Sequence, residues 1–458
     1  MRVPRPAALL AAALSAVLAL GGCTTVVAGT AVPPGGGPRA DATDADVVVH
    51  LAEPGNETDR LARNAIADVL TWWEEVFPRL FGGELAAVEG GFWSVDPDVT
   101  DPADLPGSGC LADGLAGLAE NAFYCGEDDV VVYDRAWVAG LAQQYGPFMV
   151  AEIVAHEIAH AVQAQAGLAD PSIVAETQAE CFAGAWTRWV ADGSAAHVAV
   201  TEAEFDPYLL GYLYFGDAAG TSPDAPDAHG SPFDQLAAFQ EGYAGGPRGC
   251  AAFDRSRVYT EREADPRQRG DRPYRETVAG TDDLLAAFWQ RALTRGFPGT
   301  AALGGGLRAT RVGAAAGPGG VCRGAGEERD LAYCPGDGSV RYDPAGLLRP
   351  VHGDVGDFAV TALLAVPYAL AVRAQRGLPV DDAAAVTAAV CATGWLAREM
   401  HLGHLPGTRL QLAPGDVDEA AVVLLRYATA LPGPGASGFA LTDAFRRGFA
   451  GGGDVCDL

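Results

Sequence analysis

The sequence predicts an α+β fold, mostly helical and built twice over. Three observations point there. Long apolar stretches with helical periodicity dominate the chain, as in residues 146–166 and 172–190. Short Val-rich runs such as residues 129–134 read as strands of a small sheet. Eight cysteines fall into two sets of four whose spacing recurs about 210 residues on, a period that marks duplicated domains rather than a solenoid.

The repeat sets the domain plan. Cys110, Cys125, Cys181 and Cys250 match Cys322, Cys334, Cys391 and Cys456. Tyr124, Tyr133 and Asp134 match Tyr333, Tyr342 and Asp343, and Trp73 matches Trp289. One domain is therefore expected over 46–253 and a second over 276–458, joined by a charged linker at 254–275. Four cysteines allow three pairings. The close pairs Cys110–Cys125 and Cys322–Cys334 would close short loops. Cys181–Cys250 and Cys391–Cys456 would then tie a helix to each domain's end. Free buried thiols are the alternative for some of them.

The N-terminus reads as an export signal. Arg2 and Arg5 precede an apolar run at 7–20, short for a bilayer span. Leu20-Gly21-Gly22-Cys23 resembles the bacterial lipobox, in which Cys23 would be lipidated once residues 1–22 are removed. Residues 23–45, rich in Pro, Gly, Ala and Thr, read as a flexible tether. The expected location is the outer face of a bacterial cell membrane, held by lipid. An exported chain favours disulfides. The net charge of −28, with every strong base an Arg, argues against nucleic acid as a partner. Oligomeric state is not legible.

The chemistry concentrates at His156-Glu157-Ile158-Ala159-His160. Gly146-Pro147 opens this helix and Gly167 closes it. Residues four apart share a helix face, so both imidazoles reach one ion while Glu157 is offset enough to hold a water. Zinc needs a third protein ligand and an open position. The following helix, started by Asp170-Pro171, puts Glu176 and Glu180 one turn apart on one face. Glu176 is the expected ligand, and Glu180 the acid that holds a ligand imidazole. The reverse assignment remains open. So does the blander reading, an acidic stripe beside satisfied core histidines. One zinc ion is expected, in the first domain only.

The strings HEIAHAVQAQAG, ETQAECFAGAW and HGSPFDQLAAFQEGY resemble the bacterial neutral zinc metallopeptidase family, over roughly 120–250. Its pattern is an HExxHxxQ helix, an ExxADCFAG helix, and a late His-Gly segment. The resemblance implies a zincin-like fold of the gluzincin type, with an active-site helix beside a small sheet. It implies peptide or protein substrates, Glu176 as ligand and Glu157 as the base. It also places His229 where a donor to the developing oxyanion would stand; a packing role at a helix start is the alternative, and Tyr212 and Tyr243 are weaker candidates. Glu180 stands where the family has Asp. An edge strand at 129–134 would hold substrate through its main chain.

The second copy lacks these groups. His156, Glu157, His160, Glu176, Glu180 and His229 map to Val366, Pro367, Leu370, Val386, Val390 and Gly435. Pro367 suggests a kink or break in that helix. His401 and His404 read as surface residues. The expected function is zinc-dependent peptide hydrolysis by a lipid-anchored protein. The competing readings are a weak or inactive peptidase-like scaffold in the cell envelope, and a structural protein without metal.

Overall fold

A computed structural model describes residues 36–458 apart from 40–41, 106–108, 112–113, 169–171, 260–269, 309, 311, 315–321, 323–329 and 433–434. The signal segment 1–22, Cys23 and the first part of the tether lie outside the described residues. So does Asp170-Pro171. The fold is α+β, with 57% of the described residues helical, so helices set the packing and the sheets are small.

The first half begins with β1 (Gly37–Pro38) and β2 (Val49–His50), then α1 (Glu57–Leu80) and β3 (Gly91–Val95). A hairpin of β4 (Ala122–Cys125) and β5 (Val130–Asp134) follows, then α2 (Arg135–Tyr145) and α3 (Phe148–Ala166). Next come α4 (Ser172–Ala191), β6 (Val198–Ala199), α5 (Phe205–Phe215), α6 (Pro232–Gly245) and α7 (Pro247–Ala251). The second half holds α8 (Tyr274–Thr294), β7 (Val312–Ala314), β8 (Leu331–Cys334) and β9 (Ser339–Tyr342). It ends with α9 (Arg349–Asp354), α10 (Asp357–Gln375), α11 (Ala383–His401), α12 (Asp416–Arg426) and α13 (Gly438–Gly451).

The sheets have matching plans. In the first, β5 lies between a parallel β3 and an antiparallel β4, with β2 beyond β3. In the second, β9 lies between a parallel β7 and an antiparallel β8. Residues 129–134, expected at a sheet edge, are thus an inner strand. All five residues of β5 are buried, as a continuous Val run covered on both faces requires. The edge is β4.

Helix packing also repeats. Glycine lets α4 meet α6, and α11 meet α13, backbone to backbone. A Cβ on Gly184 would sit 2.0 Å from the Phe239 carbonyl oxygen, and one on Gly394 would sit 2.0 Å from that of Phe445. Four disulfides take the expected pairing: Cys110–Cys125, Cys181–Cys250, Cys322–Cys334 and Cys391–Cys456. Buried side chains from both halves form one continuous core, with a small second cluster around Val95, Cys125 and Val132.

The halves join through reciprocal contacts. Asp206 on α5 receives the N–H groups of Gly438 and Phe439 at the start of α13, at 2.7 and 2.8 Å. Asp418 on α12 receives the N–H of Phe233 at the start of α6, at 2.8 Å. Each half thereby satisfies unpaired donors at a helix N-terminus of the other. Phe205–Phe439 and Phe233–Phe445 ring contacts fill the space between.

Three boundaries differ from expectation. β1 pairs with β6 and the Arg39 N–H bonds His197 O, so folded structure reaches into the stretch assigned to the tether. α8 starts at Tyr274, two residues inside the expected linker. α10 runs through Pro367 without a break. A mid-helix Pro removes one hydrogen bond at roughly 3 kcal/mol; burial of α10 along nearly its whole length offsets this. Among the described residues α10 is the one helix apolar and long enough to cross a membrane, and 94% of its apolar window is buried within the protein.

Candidate metal centre

α3 carries the motif because its surroundings are helical and apolar. Gly167 ends it at φ 69°, the left-handed turn that favours glycine. The helix packs between α1 and α4, so its one polar face, toward β4, becomes the wall of a cleft of about 570 Å³. His156, Glu157, His160, Glu176, Glu180 and His229 all line that cleft.

Three of them converge. Nε2 of His156 lies 3.0 Å from Nε2 of His160. Glu176 Oε2 lies 3.2 Å from the first and 3.4 Å from the second. Donors bonded to one tetrahedral ion at 2.0–2.1 Å stand about 3.3–3.4 Å apart, so these contacts match the edges of such a shell. Among the described residues, this trio and Asp271, Asp357 and Glu419 are the clusters close enough to share an ion.

The outer contacts orient both rings and fix the tautomer of His160. Gln163 donates from Nε2 to Ala175 O at 2.8 Å and to Gln178 Oε1 at 2.9 Å. Its Oε1 is left to face His160 Nδ1 at 2.8 Å. His160 Nδ1 must therefore carry the proton, which leaves the Nε2 lone pair toward the convergence point. Gln178 in turn donates to Cys250 O at 3.0 Å, tying this chain to the disulfide. Glu180 Oε1 stands 2.9 Å from His156 Nδ1, close enough to hold its proton although off the line of a well-aligned hydrogen bond. Nε2 of both imidazoles and a carboxylate oxygen of Glu176 thus meet at one point. They repel one another unless a proton or a cation lies between, and this donor set fits zinc.

Electrostatics agree with the geometry. Burial would raise the Glu176 carboxyl, but contact with both imidazoles outweighs it and holds Glu176 well below the usual range. Burial would lower His156, yet Glu180, Glu176 and Glu157 leave it well above its ordinary value. Glu157 is pushed up by burial, against the pull of the two histidines. Its Oε2 accepts the Tyr124 N–H from the outer edge of β4 at 2.9 Å, so the sheet orients this side chain.

His229 sits at the cleft mouth with its side chain about half exposed, at 52%. Asp217 accepts the N–H groups of His229 and Gly230, at 2.9 and 2.8 Å, and so fixes the turn that presents the imidazole. Tyr212 and Tyr243 do not line the cleft. Tyr212 donates to buried Glu152, and Tyr243 donates to Glu202 at 2.9 Å.

Sequence reasoning assigned no role to Gln163, Gln178, Glu152 or Gln235. The signal for Gln163 was its place three residues after His160, on the same face. Glu152 lies one turn before His156, and burial first, then the Glu180 charge, keeps its carboxyl far above the usual range. In the second half His404 is not a bare surface residue, because its Nδ1 meets the buried Glu399 at 2.6 Å. No family model, curated protein or solved structure matches the chain.

Proposed function

We propose that the protein is a zinc-dependent peptidase with one metal centre, in its first half. The observation that carries this reading is the convergence of His156, His160 and Glu176 beside an oriented Glu157 in an open cleft. His156 Nε2, His160 Nε2 and Glu176 would hold the ion. When bound, zinc would acidify a water and polarise a carbonyl. Glu157 then takes the proton from that water as it attacks and passes it to the leaving nitrogen. Tyr124 N–H occupies one Glu157 oxygen and leaves the other for this work. His229, on its turn at the mouth, would steady the negative oxygen that develops. The outer edge of β4, carrying the Ala122 and Tyr124 carbonyls, offers main-chain pairing to an extended peptide.

On this reading the fold is zincin-like and of the gluzincin type, as the resemblance to the neutral zinc metallopeptidases implies. The second half is a degenerate copy that keeps the frame and has lost the ligands. On the same reading, the export-signal pattern and Cys23 would hold the molecule by lipid on the outer face of the bacterial cell membrane. Glu180, in place of the family's Asp, reaches His156 at 2.9 Å, which supports it in the holding role. Metal analysis of the purified protein, paired with cleavage of a mixed peptide library, tests the proposal. One zinc per chain and Glu157-dependent cleavage are expected. Zinc bound without any cleavage would instead favour an inactive scaffold.

A further inference from the structure

The cleft is rich in acceptors. Glu120, Glu152, Glu157, Glu176 and Glu180 line it, against three histidines, and no Arg is among the described lining residues. The chain has no lysine at all. Three of the acids already have partners, Glu176 with His156 and His160, Glu180 with His156, and Glu157 with the Tyr124 N–H. Glu152 accepts from the Tyr212 hydroxyl, and burial pushes its carboxyl up.

Glu120 is different. It is exposed at the cleft rim at φ 55°, an uncommon backbone for a side chain of its size. Asp134, which also caps α2, holds its N–H at 3.0 Å and so fixes where Glu120 stands. Deeper in, Gln235 is only 2% exposed. Its Nε2 donates to His229 O at 3.2 Å, and its Oε1 has no hydrogen-bond partner among the described residues. A buried acceptor without a donor costs about 1–3 kcal/mol, which a ligand N–H would recover. On the donor side the lining offers the Trp137 indole N–H, also unpartnered, and the His229 ring.

We propose that the cleft selects peptides bearing a positive charge near the cleaved bond, a guanidinium or ammonium group that Glu120 meets at the rim, while Gln235 Oε1 accepts an N–H of the bound peptide inside. The charge has two possible sources, a basic side chain or a free N-terminal amine. The proposal rests on the peptidase reading of the same cleft. Its physical basis is complementarity: Gln235 Oε1 is a buried acceptor without a donor among the described residues, Glu120 is an exposed acid at the rim, and the net charge of −28 draws cations to the surface.

The test uses the zinc-loaded full chain carrying Glu157→Gln, so that peptides bind without turnover. Calorimetric titration compares an Arg peptide with its citrulline isostere, and a free N-terminus with an acetylated one. The charged member of the operative pair should bind about tenfold tighter at low salt, a preference that shrinks toward threefold at 0.5 M NaCl. Adding Glu120→Gln should remove most of it. Equal binding within both pairs, or a preference untouched by Glu120→Gln, overturns the proposal. Cleavage by the wild-type chain separates the two readings. Cleavage without charge preference sinks this inference alone. Selective binding never followed by cleavage sinks the peptidase reading alone. Absence of any peptide binding sinks both.

Discussion

The two halves place opposite chemistry on matching frames. Where the first half holds His156, Glu157, His160, Glu176 and Glu180 against a cleft, the second holds Val366, Pro367, Leu370, Val386 and Val390. The four aliphatic residues are at most 2% exposed. Yet Gly184 and Gly394 meet the same carbonyl geometry, the disulfides close equivalent loops, and the sheets keep one pairing plan. Framework and chemistry are therefore separable in this fold. Packing constrains the glycines and cysteines in both halves, whereas nothing in packing demands buried imidazoles and carboxylates. Those cost desolvation, and the proposed metal site is the reason for them that packing does not supply.

The contrast should be sharpest at the metal. His160→Ala is expected to take zinc from one per chain to none and to abolish cleavage. Its counterpart Leu370→Ala should cost about 2–5 kcal/mol in denaturant unfolding, yet leave metal content unchanged. Loss of metal from Leu370→Ala would break the comparison. Glu157→Gln separates chemistry from binding within the first half. Peptide cleavage should fall by about 10²–10⁴ while elemental analysis still finds the metal.

Gln163→Leu probes the outer contacts. Competition with a chromophoric chelator should show zinc held about 10–100 times more weakly. The same change at the matching Arg373, which bonds Pro379 O at 3.1 Å, should leave zinc affinity alone. The frame should respond equally in both halves. Gly184→Ala and Gly394→Ala each drive a Cβ to 2.0 Å from a carbonyl oxygen. Each should lower stability by about 1–3 kcal/mol or more, and markedly unequal losses would mean the helix pairs are not equivalent.

The smallest effect concerns pH and involves the acid cluster of the second half. Burial, with neighbouring charge, raises Asp416 to about 8 and Glu419 to about 9, beside Asp357 and Asp271. Arg272 is the nearby base, and His352 bonds the Arg272 carbonyl. Groups whose folded pKa is raised bind more protons when native than when unfolded, so their stabilisation fades as pH climbs through the folded value. The thermal midpoint should therefore fall from about pH 4, the ordinary carboxylate value, to about pH 9 and level off above it, and Asp416→Asn should flatten that fall.

Much of this was legible in the sequence because it rests on local periodicity. The helix over Phe148–Ala166, its Gly167 cap and the strand at Val130–Asp134 all follow from patterns within a few residues. The meeting of Glu176 with the two histidines was readable from facing residues on successive helices. Three features were not. Whether β5 is an inner or an edge strand depends on β3, some forty residues away, and on a hairpin partner with mixed burial. The unbroken α10 depends on tertiary cover that outweighs the local cost of Pro367. The hold of Tyr124 N–H on Glu157 is a main-chain contact, to which side-chain patterns are blind.

The crossed caps of Asp206 and Asp418 have a consequence of their own. Two identical subunits related by a two-fold axis would make such a contact, each lending the other the same acid. Within a dimer of one gene product every substitution appears twice, so a metal centre must be kept in both subunits or given up in both. Joining the partners in one polypeptide lifts that obligation while the shared seam still has to fit. One member can then drift to a fully greasy interior and serve as a permanent mate for the other. Neither should be expected to stand when cut free, since severing the pair uncovers Phe205, Phe233 and Phe439 at a stroke.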